Sequence, residues 1–455
     1  MNRACLIHST ENFAALPTLC EQARSHGLIP YILCDEQNHQ ALVQWSVGRE
    51  IPSTILDISG DLTAPLYGYD EVVFLPDSSQ ISFDFFRKLS PLYGSLTLQP
   101  LFPPMPSHGS QTVETVPSWI GWRATHDLAL RILREPATLH FSPLQLFDRI
   151  QHWSDPPRWQ SIPLSTSSDE NPLSSKPSIL STTSSVLAVI SFHRCEEWLH
   201  ACLTSLVQQS RPPDHIVVVD DSSPALPIAL LEAFPDVTLL STTRNIGPEK
   251  ILNNIIKATD YDAYMVQDAD DWSAYDRLEL SLRAAERTGA EFIGTHEFRL
   301  NQEKTQIELC RYPADVNQAM AQSPGHYLLH CTSLIARSLA MRIGGFNESL
   351  RLAADTDFVH RAWPQGSIVN LPAFSYFRRV RPGSLTTEPA TGQKSAARTI
   401  EHRFITIRAK RNLELIRTGQ VPDVFVQQRE AIDFYYHQGP PLRLQKDVQF
   451  LDRAN

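Results

Sequence analysis

The sequence predicts an α/β protein: a mostly parallel sheet with helices on both faces, preceded by a second α/β domain. Two observations carry the prediction. From residue 186 onward, short β-rich runs alternate with segments of helical periodicity, the pattern of parallel strands joined by crossover helices. Those runs lack polar interruptions, as in strands buried on both faces. A similar alternation before residue 160 predicts the leading domain.

In chain order, "ACLIHS", "LIPYILCDE", "STILDIS" and "DEVVFLP" read as strands of the first domain (1–160), with helices around 11–26 and 82–93. Residues 161–185, "SIPLSTSSDENPLSSKPSILSTTSS", are rich in Ser, Thr and Pro and poor in aromatics. Such a segment buries too little surface to offset its ordering entropy and reads as a linker, with a long loop inside one domain as the alternative. The second domain (186–390) opens with the strand "VLAVISF"; Trp198, Leu199, Cys202, Leu203, Leu206 and Val207 then recur at helical spacing. "HIVVVDDSSP" and "DVTLLST" are the next strands. "PEKILNNIIKA" begins a helix with Pro at its first position, where the missing N–H costs nothing. "DAYMVQ" is a strand, "AYDRLELSLRAAERTG" a helix stopped by Gly289, and "AEFIGTHEF" a further strand. Residues 391–455 read as a helical extension.

Composition bounds the function. A net charge of −10 over 455 residues argues against nucleic acid as a partner, and against a surface designed for anionic lipid. No stretch approaches the roughly 18 uninterrupted apolar residues of a membrane span. The N-terminus, "MNRACLIHSTENFAALP", lacks a signal-peptide core. Seven cysteines without a Cys-x-x-Cys pair read as buried, reduced thiols. Together these place the protein in the cytoplasm. The histidines read as lacking a His-x-x-x-His spacing, so no His-based zinc site is expected.

Acidic clusters fall at two strand ends, Asp220-Asp221 and Asp268 to Asp271. Ligands of open α/β sheets bind at the carboxyl ends of strands. Carboxylates this close repel one another and resist ionising together, and a hard divalent cation removes that repulsion. Mg²⁺ takes one or two protein carboxylates and completes its shell with water and substrate phosphate. The alternative is a solvated turn capping the next helix. Neither a P-loop nor a dinucleotide fingerprint occurs, so a metal-bound diphosphate without a glycine cradle, as in a nucleotide-sugar, is the expected ligand.

Several motifs in order then resemble a known family. "AVISFHRCEEWLHACLTSLVQQS", "IVVVDDSSP", "RNIGPEKILNNIIKATDYDAYMVQDADDW", "HCTSLIARSLAMRIGGFNESLRLAADTDFVHRAW" and "FRRVRPGSLT" are similar to the successive motifs of family-2 glycosyltransferases of the GT-A fold, over about 186–388. The resemblance implies a hexosyltransferase-class enzyme that moves a sugar from a nucleotide-diphosphate sugar to an acceptor hydroxyl with inversion. It implies that Asp220 and Asp221 meet base and ribose, and that Arg244, Asn245 and Gly247 line the nucleotide pocket. Asp268 would touch the ribose or a metal-bound water, Asp270 would ligate Mn²⁺ or Mg²⁺, and Gly344 and Gly345 would let backbone approach the acceptor. Asp355 or Asp357 would be the general base; capping of the helix "FVHRAW" is their other reading. The family often has Glu-Asp where this chain has Ala354-Asp355, and a metal-binding His where it has Arg381. Arg381 could instead grip the diphosphate with its planar fork, or serve a structural role. A sugar nucleotidyltransferase and a non-catalytic sugar-binding relative are the alternatives.

The stretch "YGYDEVVFLPDSSQISFDFFRKLSPLYGSLTLQP" parallels "TDYDAYMVQDADDWSAYDRLELSLRAAERTGAEFIGT" in its order of Tyr-Asp, strand, turn, helix, Gly and strand. The first domain is therefore expected to be a degenerate GT-A-like unit, keeping Asp77 but placing Ser78 and Ser79 at its metal turn; a generic α/β domain is the alternative. In the extension, "AARTIEHRFITIRAKRNLELIRTG" has helical spacing and a basic excess. It reads as a helix packed on the second domain with a solvated basic face, or as a membrane-surface or acceptor-docking helix.

Overall fold

The computed structural model describes residues 178–452 apart from 303, 305 and 427–431. Before them it describes residues 2–8, 13, 16–34, 41, 42, 44, 54–57, 63–66, 69–76, 92, 97–101, 111–115, 121–133 and 143–163. The chain divides into two units, 1–106 with 115–167, and 107–114 with 168–455.

In the first unit, strands β1 (Arg3–His8), β2 (Leu28–Cys34), β3 (Thr54–Asp57) and β4 (Glu71–Pro76) form a parallel array in the order β3-β2-β1-β4. Helix α1 (Leu16–Ser25) makes the β1–β2 crossover and buries Leu16, Cys20 and Ala23. Beyond β4 the sheet continues antiparallel through β6 (Gly121–Thr125), then β5 (Thr97–Leu101) and β7 (Arg158–Trp159). The expected helix at 82–93 and the turn Asp77 to Ser79 lie outside the described residues, Leu92 excepted.

The second unit repeats this plan. Strands β8 (Val186–Phe192), β9 (His215–Asp220), β10 (Val237–Ser241) and β11 (Ala263–Asp268) are parallel in the order β10-β9-β8-β11. Strand β13 (Leu334–Ala336) then pairs antiparallel with β11, and β12 (Phe292–Asn301) lies beyond it. In both sheets a later antiparallel strand separates the fourth strand from the fifth. Strand β14 (Ile368–Val380) runs parallel to β12. Helices α2 (Glu196–Val207), α3 (Pro248–Ala258) and α4 (Arg277–Thr288) are the crossovers. Helix α3 shows why the spacing worked: Ile251, Leu252, Ile255 and Ile256 form one stripe, each at most 3% exposed, and burying such a side chain contributes about 1.5–3 kcal/mol.

The linker is narrower than the sequence suggested. Of 161–185, residues 164–177 lie outside the described set, but Leu180 sits fully buried in the core of the second unit. Ser185 accepts from the Asp262 amide and donates to its carboxylate. The extension also does more than form a helix. After α5 (Ala354–Ala362) and α6 (Ala396–Arg417), the segment "YYHQ" becomes β15 (Tyr435–Gln438), pairing antiparallel with β10. All seven cysteines are buried. Among the described residues no helix is long and apolar enough to cross a membrane.

Register brings the acidic clusters together. Phe192 pairs with Asp220 and Ser191 with Asp268, so β8, β9 and β11 end on one rim.

Candidate active site

On that rim the two adjacent aspartates at the end of β9, Asp220 and Asp221, behave differently. Asp220 is 2% exposed and folds back to accept the Ser223 amide. Asp221 accepts the Ile246 and Gly247 amides at 2.7 and 2.8 Å, and the Thr242 hydroxyl at 3.3 Å. Burial pushes the Asp221 carboxyl up, against the pull of those donors. Asp221 thus ties the Arg244–Gly247 loop to the strand end. Gly247 has φ +92°, and a Cβ there would meet nothing within 4 Å, so backbone conformation alone requires glycine before Pro248. Arg244, Asn245 and Gly247 line a cavity of about 2210 Å³, with Asp221 on its wall. Asp220 is not part of that lining.

The turn after β11 spreads its carboxylates in three directions. Asp271, 2% exposed, accepts the Tyr376 hydroxyl at 2.8 Å and the Arg379 amide at 2.7 Å. It anchors the turn to β14, a role the sequence did not single out. Asp270 faces the cavity, and its Oδ2 accepts from Arg381 Nε at 2.8 Å. Burial, then the Asp270 charge, pushes the Asp268 carboxyl up to about 6, while Arg378 opposes the shift. Asp268, Asp271 and Cys331 place ligand atoms within 4.8 Å of one another. Burial and the Asp268 charge raise the Cys331 thiol well above its ordinary value, so it is a poor thiolate donor, and both Asp271 oxygens are engaged. The oxygens suited to a hard divalent cation are those of Asp268 and Asp270, whose mutual repulsion such an ion relieves. Arg381 also stacks on Trp198, 4.2 Å from the ring centroid.

The expected bases separate cleanly. Asp355 lies in the first turn of α5, where its carboxylate meets the positive end of the helix, and lines the cavity. It accepts the Thr356 amide at 2.7 Å. Burial would raise its pKa, but His330, His326, the Thr356 bond and Arg398 outweigh burial and hold it below the usual carboxylate range. Asp357 is a correction. It is fully buried, bonds Arg361 Nε at 2.7 Å, and contacts Arg408 of α6. It joins two helices and does not line the cavity. Gly344 and Gly345 are also corrected: neither lines the cavity. Their φ values of +76° and +71° shape the turn after Arg337–Arg342. The Gly345 carbonyl accepts from Arg361, and a Cβ on Gly344 would meet the Val426 carbonyl at 3.2 Å.

Residues the sequence reading missed also converge here. His326 and His330 line the cavity, and the His330 Nε2 is buried without a hydrogen-bond partner. Their four-residue spacing, "HYLLH", is a His-x-x-x-His pair and corrects the expectation that none occurs. Burial pushes His330 down to about 4, against the pull of the Asp355 charge. Glu249, in the first turn of α3, is pushed up to about 8 by burial and the Asp355 charge. Neighbouring carboxyls driven apart in this way suit one proton-bearing and one ionised role.

Residues 187–344 match the model of the family described as Glycosyl transferase family 2. A search of curated proteins gave no match. Among solved structures, S. aureus TarS is similar at 18% identity, covering 44% of this chain and 37% of that one, with a TM-score of 0.37. TarS 1-349 in complex with UDP-GlcNAc gives 18% identity, 44% and 60% coverage and a TM-score of 0.38. GalNAc-T7 with UDP, GalNAc and Mn²⁺ gives 14% identity, 50% and 48% coverage and a TM-score of 0.37. The chain thus spans between about a third and three fifths of these solved chains.

Proposed function

We propose, from the premise that residues 187–344 form a family-2 glycosyltransferase domain of the GT-A fold, that the protein moves a sugar from a nucleotide-diphosphate sugar to an acceptor hydroxyl with inversion. The observation that carries this reading is convergence: the Asp221-held loop, Asp268 and Asp270, and Asp355 all line one cavity. The loop Arg244–Gly247 receives the nucleotide. Asp268 and Asp270 would hold Mn²⁺ or Mg²⁺, which when bound supplies positive charge to the departing diphosphate. Asp355 takes the acceptor hydroxyl proton as the new C–O bond forms at the anomeric carbon. The bond to the diphosphate breaks, and the nucleoside diphosphate leaves with its electron pair. Arg381 presents its fork to that leaving group once released from Asp270.

Nucleoside diphosphate release from a panel of nucleotide-sugars, with and without Mn²⁺, tests the proposal. Wild type should release it, Asp270→Asn should lose the metal response, and Asp355→Asn should lose transfer while retaining donor binding. A second reading, a donor-binding protein without turnover, is favoured by the Asp270–Arg381 pair, which engages the metal-facing carboxylate. Donor binding without release under any condition selects it.

We propose further that the first unit is a degenerate copy of the same fold. Its shared strand order supports this, and its expected metal turn, Asp77 to Ser79, lies outside the described residues. Calorimetric titration with the active nucleotide should give one site per chain, weakened roughly tenfold or more in Asp221→Asn; two sites would refute the degeneracy.

A further inference from the structure

Helix α6 carries six basic and two acidic residues in a chain of net charge −10. Its inward side is fully engaged. Arg408 contacts Asp357, Arg398 donates to the Thr391 carbonyl, and Glu401 accepts the Arg351 and Leu352 amides. Its outward side is different. Ile400, Phe404 and Ile407, spaced four and three apart, are 69%, 57% and 61% exposed. Single exposed apolar residues are ordinary on soluble proteins; three large ones on a single helical stripe are not what a solvated face needs. Arg403, Lys410 and Arg411 are exposed on the same side, and the sole exposed acid of the helix is Glu414, near its far end. An apolar stripe flanked by basic residues is the pattern of helices that lie in the headgroup region of a bilayer.

We propose that this face of α6 docks on an anionic lipid surface. Charge decides the occupant: a second copy of this acidic chain would have to supply a concentrated acidic patch, whereas an anionic leaflet supplies negative charge and an apolar layer together. Position gives the docking a purpose. Phe404 belongs to the cavity lining, as do Leu385 and Phe425, which are 52% and 67% exposed. A docked bilayer therefore meets the mouth of the cleft that holds Asp355. On the transfer reading above, the acceptor class that fits is a hydroxyl on a lipid-anchored molecule.

The test is co-sedimentation of the full chain with vesicles of phosphatidylcholine alone and of phosphatidylcholine mixed with phosphatidylglycerol, without donor. The protein should pellet with the mixed vesicles, less so at high salt. Each of Arg403→Gln, Lys410→Gln and Arg411→Gln should weaken binding about fivefold. Ile400→Asp with Ile407→Asp should abolish it while leaving nucleotide binding, measured by thermal shift, at the wild-type value. Failure to bind mixed vesicles overturns the proposal. So does a dimer of the wild type that the double variant dissociates, because the face would then pair with a second copy. Neither result touches the transfer reading, which nucleotide release tests by itself.

Discussion

Replacing Arg381 by Ala asks directly whether Asp270 is the cation's ligand. In the structure Arg381 Nε and Asp270 Oδ2 are 2.8 Å apart, with the two side chains only 13% and 17% exposed. Water screens such a pair less than an open surface pair, and a hydrogen bond to a charged group contributes about 1.5–3 kcal/mol. A cation reaching Asp270 must first break that bond, while the released guanidinium regains some solvation. The net competition is therefore about 1–2 kcal/mol, or roughly five- to thirtyfold in affinity. Titration calorimetry of Mn²⁺ into nucleotide-free protein should show Arg381→Ala binding the ion tighter by that factor. The same variant should bind the nucleoside diphosphate more weakly, since the fork that would meet its phosphates is gone. The two changes have opposite signs, so a general loss of structure cannot imitate them. Unchanged or weaker Mn²⁺ binding in the variant, with the fold intact, would refute the reasoning.

Other consequences follow from the same geometry. Asp357→Asn leaves Arg361 and Arg408 facing a neutral amide, and breaking a buried pair of this kind costs about 3–5 kcal/mol; chemical denaturation should register that loss. Asp221→Asn removes the charged acceptor of the Ile246 and Gly247 amides, and donor KM should rise roughly tenfold or more with a smaller change in kcat. Part of the pH response comes from Asp268, whose carboxyl is pushed up to about 6 by burial and the Asp270 charge. The folded state holds that proton where the unfolded chain has released it above about 3.9. Its contribution to stability is thus present at low pH and lost as pH rises from about 4 through 6. Asp268→Asn should flatten that slope in metal-free protein, and Mn²⁺ affinity of the wild type should climb across the same window.

Strand and helix order was legible because buried parallel strands read as unbroken β-rich runs and their crossovers as 3.6-residue stripes. The shared rim of the acidic clusters was legible because each follows such a run. What each carboxylate does was not legible. Asp355 and Asp357 lie two positions apart, about 200° around a helix, so only one of them lines the cavity; nothing local to the sequence says which. The deciding partner, Arg408, lies in another helix about 50 residues onward. The glycine pair read as an acceptor approach because two adjacent glycines suit any close contact; the contact proves to be with Arg361 and the Val426 carbonyl. Residues 178–185 looked like linker by composition, yet Leu180 is fully buried in the core while Ile179, Thr182 and Thr183 stay exposed.

The carboxylates of the second unit sort by how completely the protein itself satisfies them. At strand starts, Asp214 accepts the Val186 amide and Arg211, and Asp262 accepts the Ser185 amide and hydroxyl. In the first unit, Glu71 at the start of β4 is likewise held by Arg3 and Arg123, at 3.0 and 3.1 Å. At strand and helix ends facing the cavity, Asp221 and Asp271 are satisfied in the same way, by backbone amides and hydroxyls. Asp268, Asp270 and Asp355, among the described residues, are less completely satisfied. One has its ionisation disfavoured, one depends on a single arginine, and one on a single amide with nearby histidines. A charge that folding has left with so few partners gains most from an ion, a phosphate or an acceptor proton. Incomplete satisfaction, rather than acidity or position alone, distinguishes the proposed chemical carboxylates from the structural ones. Arg408→Ala applies that criterion to the partner of Asp357, itself a residue of the cavity lining: it should lower stability through Asp357 and leave Mn²⁺ affinity unchanged, whereas a shift in metal binding would show that the two classes are not separate.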